Sequence, residues 1–330
     1  MEDQVTMRDV AKLADVSVAT VSAVLNSNKY VSPELKRRVD KAIGQLGYRP
    51  NLVARSLKRN QTNAIGLIFT NITSAIWPPL VRTVQHIARA QGYDTFLVDT
   101  EEDPEIQKQA IYTLLSKQVD GILIGPTPSA NLAYLAEAAA RVPMIAVDRP
   151  VTWAEWVITN NEEVAFDAAG HLLGHGCQRI GIIATQLAGA NTAARVAGYR
   201  RALEVQGRFD PRLIKEVDYL ASSAFDLACD LLQAGNVDAL MTTSQSTSIA
   251  ALRAANALGR RIPEDLALFC YDDAPWMEAV QPTLSTVRQP IEAMAKLATE
   301  RLLSRIRGGD RDGAEHVIPS SLIIRHSCGC

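Results

Sequence analysis

Asp9-Val10-Ala11-Lys12-Leu13-Ala14-Asp15-Val16-Ser17-Val18-Ala19-Thr20-Val21-Ser22-Ala23-Val24-Leu25-Asn26 encodes two short helices with a tight break between them, and its spacing decides how the first sixty residues fold. Thr6 stands where a helix-start acceptor belongs. Asp9, three residues on, sits where backbone donors and the helix dipole favour a carboxylate, so the first helix is expected to begin at Met7. Val10, Ala11 and Ala14 share its inner face, and Asp15-Val16-Ser17 interrupts the pattern after about two turns. Ser17 is placed to cap a second helix, in which Val21, Val24 and Leu25 recur at helical spacing and must pack inward. Val18, Ala19, Ser22 and Ala23 are left outside. Small uncharged residues near the start of a second helix let two backbones approach closely, as a recognition helix does in a major groove. The stretch therefore points to duplex DNA.

A third helix follows from Ser32 as cap, Pro33 at the first helical position, Glu34 in the first turn, Leu35, Val39, Ala42 and Ile43 inward, and Gly47 as terminator. Residues 1–60 hold eleven Lys and Arg against six Asp and Glu, a net of +5, while residues 61–330 hold twenty-three against thirty, a net of −7. A basic head on an acidic body draws phosphates to the head alone and makes that binding salt-sensitive.

The head resembles the lactose-repressor/galactose-repressor (LacI/GalR) family of bacterial transcription regulators. The family's opening pattern is matched at Thr6, Asp9, Val10, Ala11, Ala14, Val16, Ser17, Thr20, Val21, Ser22, Val24, Leu25 and Asn26, and continues through Val31-Ser32 and Leu46-Gly47-Tyr48-Arg49-Pro50-Asn51. The resemblance implies that Thr6, Ser17, Thr20, Asn26 and Ser32 hold phosphates, while Val18, Ala19 and Ala23 face base edges beside Ser22. The position of Ala23 is often Arg in the family, so the fork that reads guanine is missing here and readout should lean on thymine methyl groups. Residues 50–61 are too polar and too short for an independent helix. The resemblance makes them a hinge (Asn51, Ala54, Arg55, Leu57, Lys58) that folds against its dimer mate on DNA, with Leu57 as a wedge in the minor groove.

From Thr62 the texture changes to apolar strands alternating with amphipathic helices: Ile65-Gly66-Leu67-Ile68-Phe69, Thr95-Phe96-Leu97-Val98, Gly121-Ile122-Leu123-Ile124 and Met144-Ile145-Ala146-Val147. A second set follows at Ile180-Gly181-Ile182-Ile183, Ala239-Leu240-Met241 and Leu266-Ala267-Leu268-Phe269. The expected fold class is an N-terminal all-α helix-turn-helix domain (1–49), the linker (50–61), and an α/β core (62–330) like the periplasmic binding proteins, with two doubly wound parallel-sheet sub-domains. The first sub-domain would span about 62–160 and 290–330 and the second 161–289. Thr283 to Gln289 is expected to cross between them and Ile291 to Ile306 to form a helix completing the first.

Open parallel sheets bind ligands in the crevice at the carboxyl ends of their strands. Asp148-Arg149 follows Val147, Arg195 sits in Thr192-Ala193-Ala194-Arg195-Val196-Ala197-Gly198-Tyr199, Asp272 follows Phe269-Cys270-Tyr271, and Gln289 lies on the crossing. The family resemblance assigns an effector site to Asp148, Arg195, Asp272 and Gln289. Carboxylates facing an Arg fork satisfy the hydroxyl pairs of a sugar, or the edge of a purine. Ser244-Gln245 replaces the family's usual Asn-Asp, which removes one charged acceptor and leaves the effector's identity open. Ile76, Trp77, Trp153, Trp156 and Trp276 are candidates for an aromatic or apolar wall, although each suits a core equally well.

No phosphate loop, nucleophile elbow or His-Glu-x-x-His pair occurs, so no enzyme is expected, and neither a cofactor nor a metal is implied. His171 and His175 lie one turn apart, but a solvated helix end accounts for them better than a metal site lacking a nearby Cys. Five scattered cysteines suit a reducing cytosol. The opening Met1-Glu2-Asp3-Gln4 has no leader pattern, and no apolar run is long enough to cross a membrane. The expectation is a cytoplasmic homodimer on a pseudo-palindromic operator with a small-molecule effector and no membrane partner. The alternative of a periplasmic sugar-binding protein fits the body but not the head. The absence of a leucine-heptad tail after Leu322-Ile323-Ile324 argues for a dimer without further assembly.

Overall fold

The structure, a computed structural model of the 330-residue chain, is described for residues 5–26, 29–48, 61–128, 133–186, 189–218, 223–234, 236–309 and 314–330. The expected hinge residues Asn51, Ala54, Arg55, Leu57 and Lys58 lie outside the described residues, as does the side chain of Asn26. Chain contacts divide the molecule into two units, Met1–Thr62 and Asn63–Cys330.

The first unit holds α1 (Met7–Ala14), α2 (Val18–Asn26) and α3 (Pro33–Leu46) around Val10, Ala14, Val21, Val39 and Ala42. Thr6 and Asp9 start α1 as a capping box: the Thr6 backbone N–H donates to Asp9 Oδ2 at 2.8 Å, and the Thr6 hydroxyl donates to the same oxygen at 2.6 Å. Those bonds hold the Asp9 carboxyl below its ordinary range. Asp15 ends α1 in the left-handed region at φ 49°, and Arg38 of α3 donates to Ala14 O and Asp15 O, satisfying carbonyls that a helix end leaves without partners. Ser17 Oγ accepts from Thr20 N at 3.1 Å and caps α2, while Ser32 Oγ accepts from Leu35 N at 3.4 Å and caps α3.

The second unit contains two six-stranded sheets. The first comprises β1 (Ala64–Phe69), β2 (Asp94–Asp99), β3 (Gly121–Ile124), β4 (Met144–Val147), β5 (Glu155–Thr159) and β11 (Glu315–Ile318), in the order β11-β5-β4-β3-β1-β2, all parallel. The second comprises β6 (Ile180–Ala184), β7 (Ile214–Glu216), β8 (Ala239–Thr242), β9 (Ala267–Tyr271), β10 (Ser285–Arg288) and β12 (Ser321–Ile323), in the order β12-β10-β9-β8-β6-β7. Strands β1, β3 and β4 are buried along their whole length, as expected when helices cover both faces of a parallel sheet. One face of the first sheet carries α4 (Trp77–Ala90) and α11 (Ile291–Ile306), the other α5 (Pro104–Ser116) and α6 (Ala133–Arg141). The second sheet is covered by α7 (Asn161–Gly174) and α8 (Ala190–Val205) on one face, and by α9 (Ala224–Ala234) and α10 (Gln245–Ala257) on the other.

Two details depart from the sequence-based expectation. Residues 283–289 are more than a crossing, because β10 is a full strand of the second sheet, parallel to β9. Residues 290–330 also do not all belong with the first sheet: α11 and β11 do, but β12 pairs antiparallel with β10. The chain thus passes between the sheets near 160, 289 and 319. These passages bond to one another, Thr159 Oγ1 to Gln289 Oε1 at 3.4 Å and Ser320 N to Asn160 Oδ1 at 2.7 Å.

Helices α7 and α8 pack closest where Gly198 meets the backbone of α7; a Cβ there would stand 2.0 Å from Glu162 O and 2.8 Å from Phe166 N. Backbone cannot retreat as a side chain can, so Gly198→Ala should lower unfolding free energy by about 1–3 kcal/mol. Chemical denaturation checks this, and an unchanged midpoint would show that the two helices separate freely.

Candidate functional site

Two faces deserve a site description, one in each unit. On the first, Val18 and Ala19 are exposed and Ser22 and Ala23 half-buried, while Val21 behind them is fully covered. The outward face of α2 is therefore small and uncharged. Arg8, Lys12, Lys29, Lys36, Arg37 and Lys41 are exposed elsewhere on this unit. Thr6 and Ser17 are exposed, Thr20 and Ser32 partly so. Ser17 Oγ and Thr20 Oγ1 lie 2.9 Å apart, and the Thr6 hydroxyl proton is engaged by Asp9.

On the second unit, loops leaving the carboxyl ends of β1, β4, β6, β8 and β9 enclose a cleft of about 230 Å³. Six of the seven residues expected at an effector site line it: Ile76, Asp148, Arg195, Ser244, Asp272 and Gln289. Asp148 and Asp272 each follow a buried strand directly, and both adopt left-handed backbone, φ 75° and 67°. Asp tolerates that region better than most residues, and here it turns each carboxyl out of the sheet. Burial raises the Asp148 carboxyl above the ordinary range against the pull of Arg149 and Arg195, and nearby Asp272 adds to the rise.

Arg195 is fixed before any ligand arrives. Its Nε donates to Asn161 Oδ1 at 2.8 Å, its Nη1 donates to Thr243 O at 2.6 Å, and its guanidinium lies 3.8 Å from the ring centre of Tyr271. The Tyr271 hydroxyl, its pKa pushed up to about 12 by burial, stays protonated and donates to the same Asn161 Oδ1 at 3.0 Å. Gln289 Nε2 donates to Asp272 Oδ1 at 2.6 Å, so the residue on the crossing is joined to the floor of the cleft. Ser244 caps α10, accepting from Thr247 N at 3.3 Å, and the starts of α4, α8 and α10 all open onto the cleft. The early N–H groups of α8 and α10 favour ligand oxygens, whereas α4 offers none, since Trp77 N donates to Ser74 O, Leu80 N to Ile76 O, and Pro78 and Pro79 lack an N–H.

The other expectations fare differently. Trp77 does not line the cleft; it is 1% exposed, donates from Nε1 to Thr70 Oγ1 at 3.2 Å, and fills the space beside Gly125 that a Cβ would need. Trp153 and Trp156 pack with the core beneath α5 and α6, and Trp276 with the core beneath α9 and α10. No aromatic side chain lines the cleft among the described residues. Asn161, Thr185, Thr192, Asn71 and Glu102 were not anticipated. Glu102 forms a two-point pair with Arg149 at 2.6 and 2.9 Å and so takes that cation out of play for a ligand. Asn71, Thr185 and Thr243 share one legible signal, a polar residue just past a buried strand. His171 and His175 do end a helix, with His175 exposed, but the expectation that no Cys lies near them fails, since Cys328 and Cys330 lie beside them.

Comparison with known proteins covers both units. Residues 6–51 match the family described as bacterial regulatory proteins, lacI family, and residues 169–328 match the periplasmic binding protein-like domain. The ribose operon repressor of Halalkalibacterium halodurans is 33% identical over 324 residues, 98% of this chain and 96% of that protein. The HTH-type transcriptional repressor PurR of Aliivibrio fischeri is also 33% identical, over 98% of each. Among solved structures, the lac repressor dimer bound to operator and the anti-inducer ONPF aligns over 99% of each chain with TM-score 0.89 and 26% identity. The transcriptional regulator CelR–cellobiose complex aligns over 98% of this chain and 99% of that one with TM-score 0.73 and 29% identity.

Arg195→Ala leaves Asn161 and Thr243 short of a donor, a cost of about 1–3 kcal/mol. The variant should remain folded by circular dichroism but lose any rise in melting temperature that a polar ligand gives the wild type; an undiminished rise would place the ligand elsewhere.

Proposed function

The chain belongs to the lacI family of bacterial regulatory proteins and is a sequence-specific DNA-binding regulator of transcription; we propose that it is a repressor whose hold on a pseudo-palindromic operator is set by a sugar or sugar derivative in the cleft. The observation that carries the choice of ligand is the make-up of that cleft. Arg195, Asp148, Asp272 and Gln289 offer paired donors and acceptors, the starts of α8 and α10 face inward, and the apolar lining is confined to Ala75, Ile76, Pro128 and Ile249. Hydroxyl groups that both donate and accept match this set. The second reading is a purine, for which the relative at 33% identity is the repressor PurR. A purine would expose two flat π-faces, and the described lining holds no ring to stack on either.

In this reading Ser17, Thr20, Asn26 and Ser32 position the phosphate backbone, and Val18, Ala19, Ser22 and Ala23 meet base edges, chiefly thymine methyl groups. A phosphate contact at Thr6 requires its hydroxyl to leave Asp9. Two copies of the chain present two such helices to an inverted repeat. The exposed Phe96 and Leu97 on edge strand β2, at 41% and 43%, support a self-association face there. Asn51, Ala54, Arg55, Leu57 and Lys58 would serve as the hinge between head and core. Ligand held by Asp272 reaches the crossing through Gln289, so closure of the sheets about the ligand alters the passages that join them. Among the described residues no helix is long and apolar enough to cross a membrane, and a DNA-bound regulator works in the cytoplasm.

A thermal-shift panel of monosaccharides, disaccharides, sugar phosphates and purines tests the ligand class. A rise with purines alone would overturn the sugar reading. For the hinge, Leu57→Ala should weaken operator binding about 10-fold or more while leaving binding to random duplex and its salt dependence unchanged. Equal losses on both DNAs, measured by fluorescence anisotropy, would rule out a minor-groove wedge.

A further inference from the structure

Beside the start of β10 in the second sub-domain, four soft or borderline donors converge from two distant parts of the chain. Helix α7 ends with His171 and His175, one turn apart, whose rings lie 4.6 Å between centroids. Against them sits the turn His326–Cys328. His171 Nε2 is 3.3 Å from Cys328 Sγ and 3.4 Å from Cys330 Sγ. The two sulfurs are 3.3 Å apart, and His175 Nε2 is 3.1 Å from Cys330 Sγ. The donor atoms of His171, Cys328 and Cys330 all fall within 4.8 Å of one another.

We propose that His171, His175, Cys328 and Cys330 form a tetrahedral binding site for Zn(II) or a similar borderline divalent cation. Bonds of about 2.3 Å to sulfur and 2.0–2.1 Å to nitrogen set donor-to-donor edges of roughly 3.3–3.8 Å in a tetrahedron. The distances among His171, Cys328 and Cys330 are within about half an ångström of that, so these three need only spread slightly, while His175, near Cys330 alone and outside the 4.8 Å group, must turn its ring toward the ion to complete the tetrahedron. Two thiolates balance a divalent charge, and the pairing of two thiolates with two imidazoles selects zinc over the hard cations Mg²⁺ and Ca²⁺. The thiol protons leave to solvent as the ion binds.

The surrounding fold shapes the site in ways a chance cluster would not need. The turn bearing Cys328 is pinned to the second sheet: Ser327 Oγ donates to Leu268 O at 2.6 Å, and Ser285 N donates to Ser327 Oγ at 2.8 Å. Gly329 lies in the left-handed region at φ 91°, where a side chain is strained, and the reversal it allows brings Cys330 back alongside Cys328. Ser285 Oγ stands 3.0 Å from Cys328 Sγ, placed to donate to a thiolate as outer partners of metal ligands do. Phe269 packs edge-on against the His171 ring at 5.8 Å. Cys328 is buried and anchors the site, whereas Cys330 and His175 are exposed and give an ion its way in. His326 is not a member, because its Nδ1 bonds to Thr283 Oγ1 at 2.9 Å.

The test uses the full chain, fully reduced, stripped with chelator and titrated with Co(II) and then Zn(II). One Co(II) per chain should bind with the intense d–d absorption of a tetrahedral site and a thiolate-to-metal charge-transfer band, both bleached by Zn(II), and Zn(II) should raise the melting temperature. Cys330→Ser and His175→Ala alter exposed side chains and should leave the fold intact by circular dichroism. Each should weaken Zn(II) at least about 10-fold, no less than the loss of an outer partner costs, and Cys330→Ser should also dim the charge-transfer band. A reduced protein that gives no such band, or an affinity unchanged in both variants, overturns the proposal. Cys328 and Cys330 serving only as a disulfide pair would show itself in the same way, as a reduced chain without metal affinity.

Discussion

Arg195 is the fixed point of the cleft. A buried guanidinium must have its N–H groups satisfied or lose several kcal/mol of solvation. Here Asn161 from the start of α7 and the carbonyl of Thr243 past β8 supply acceptors, while Tyr271 at the end of β9 supplies a ring face. One side chain thereby holds three separate loop ends in register. The close approach of α7 and α8 at Gly198 sets the distance between Asn161 and Arg195, so packing one turn along α8 from the cleft determines where the cation points. Asp148 and Asp272 face that cation from the two sheets, each placed by the same left-handed step out of a buried strand.

The three passages between the sheets turn this constraint into a means of control. Thr159 and Gln289 bond across two of them, and Asn160 and Ser320 tie in the third. Gln289 is at once a hinge residue and a partner of Asp272. A ligand that recruits Asp272 must either keep or break that bond, and in each case the passages feel the change. Differential contact of this kind is what lets a small molecule shift an equilibrium between two arrangements of the core.

The helix-turn-helix was legible because its signals are local: caps, a short break, and apolar residues at helical spacing. The same holds for most strands and for α11, whose limits coincide with the expected Ile291 to Ile306. Pairing was less legible than existence. Nothing local in Ser321–Ile323 says which sheet it joins, and β10 looked like a crossing because Ser285-Thr286-Val287-Arg288 lacks the apolar run that marks β3, β4 and β8, which are equally short. In the cleft, residues past apolar strands stood out by position. Asn161 and Glu102 did not, since their roles depend on Arg195 and Arg149, which are distant in the chain. Trp77 misled for a physical reason: an indole with one donor is content in a core once Thr70 accepts from it. Likewise the 157 residues between His171 and Cys328 hid their meeting.

In the proposed function, occupancy of the cleft and the grip of the basic head on DNA are coupled. Thermodynamic linkage makes this measurable in both directions. Titrate an operator-length inverted repeat with the protein by calorimetry, with and without a saturating sugar found by thermal shift, then titrate the sugar with and without the DNA. Sugar should change operator affinity by about 5–150-fold, and operator should change sugar affinity by the same factor and in the same sense. Affinities that ignore each other in both titrations would contradict the coupling.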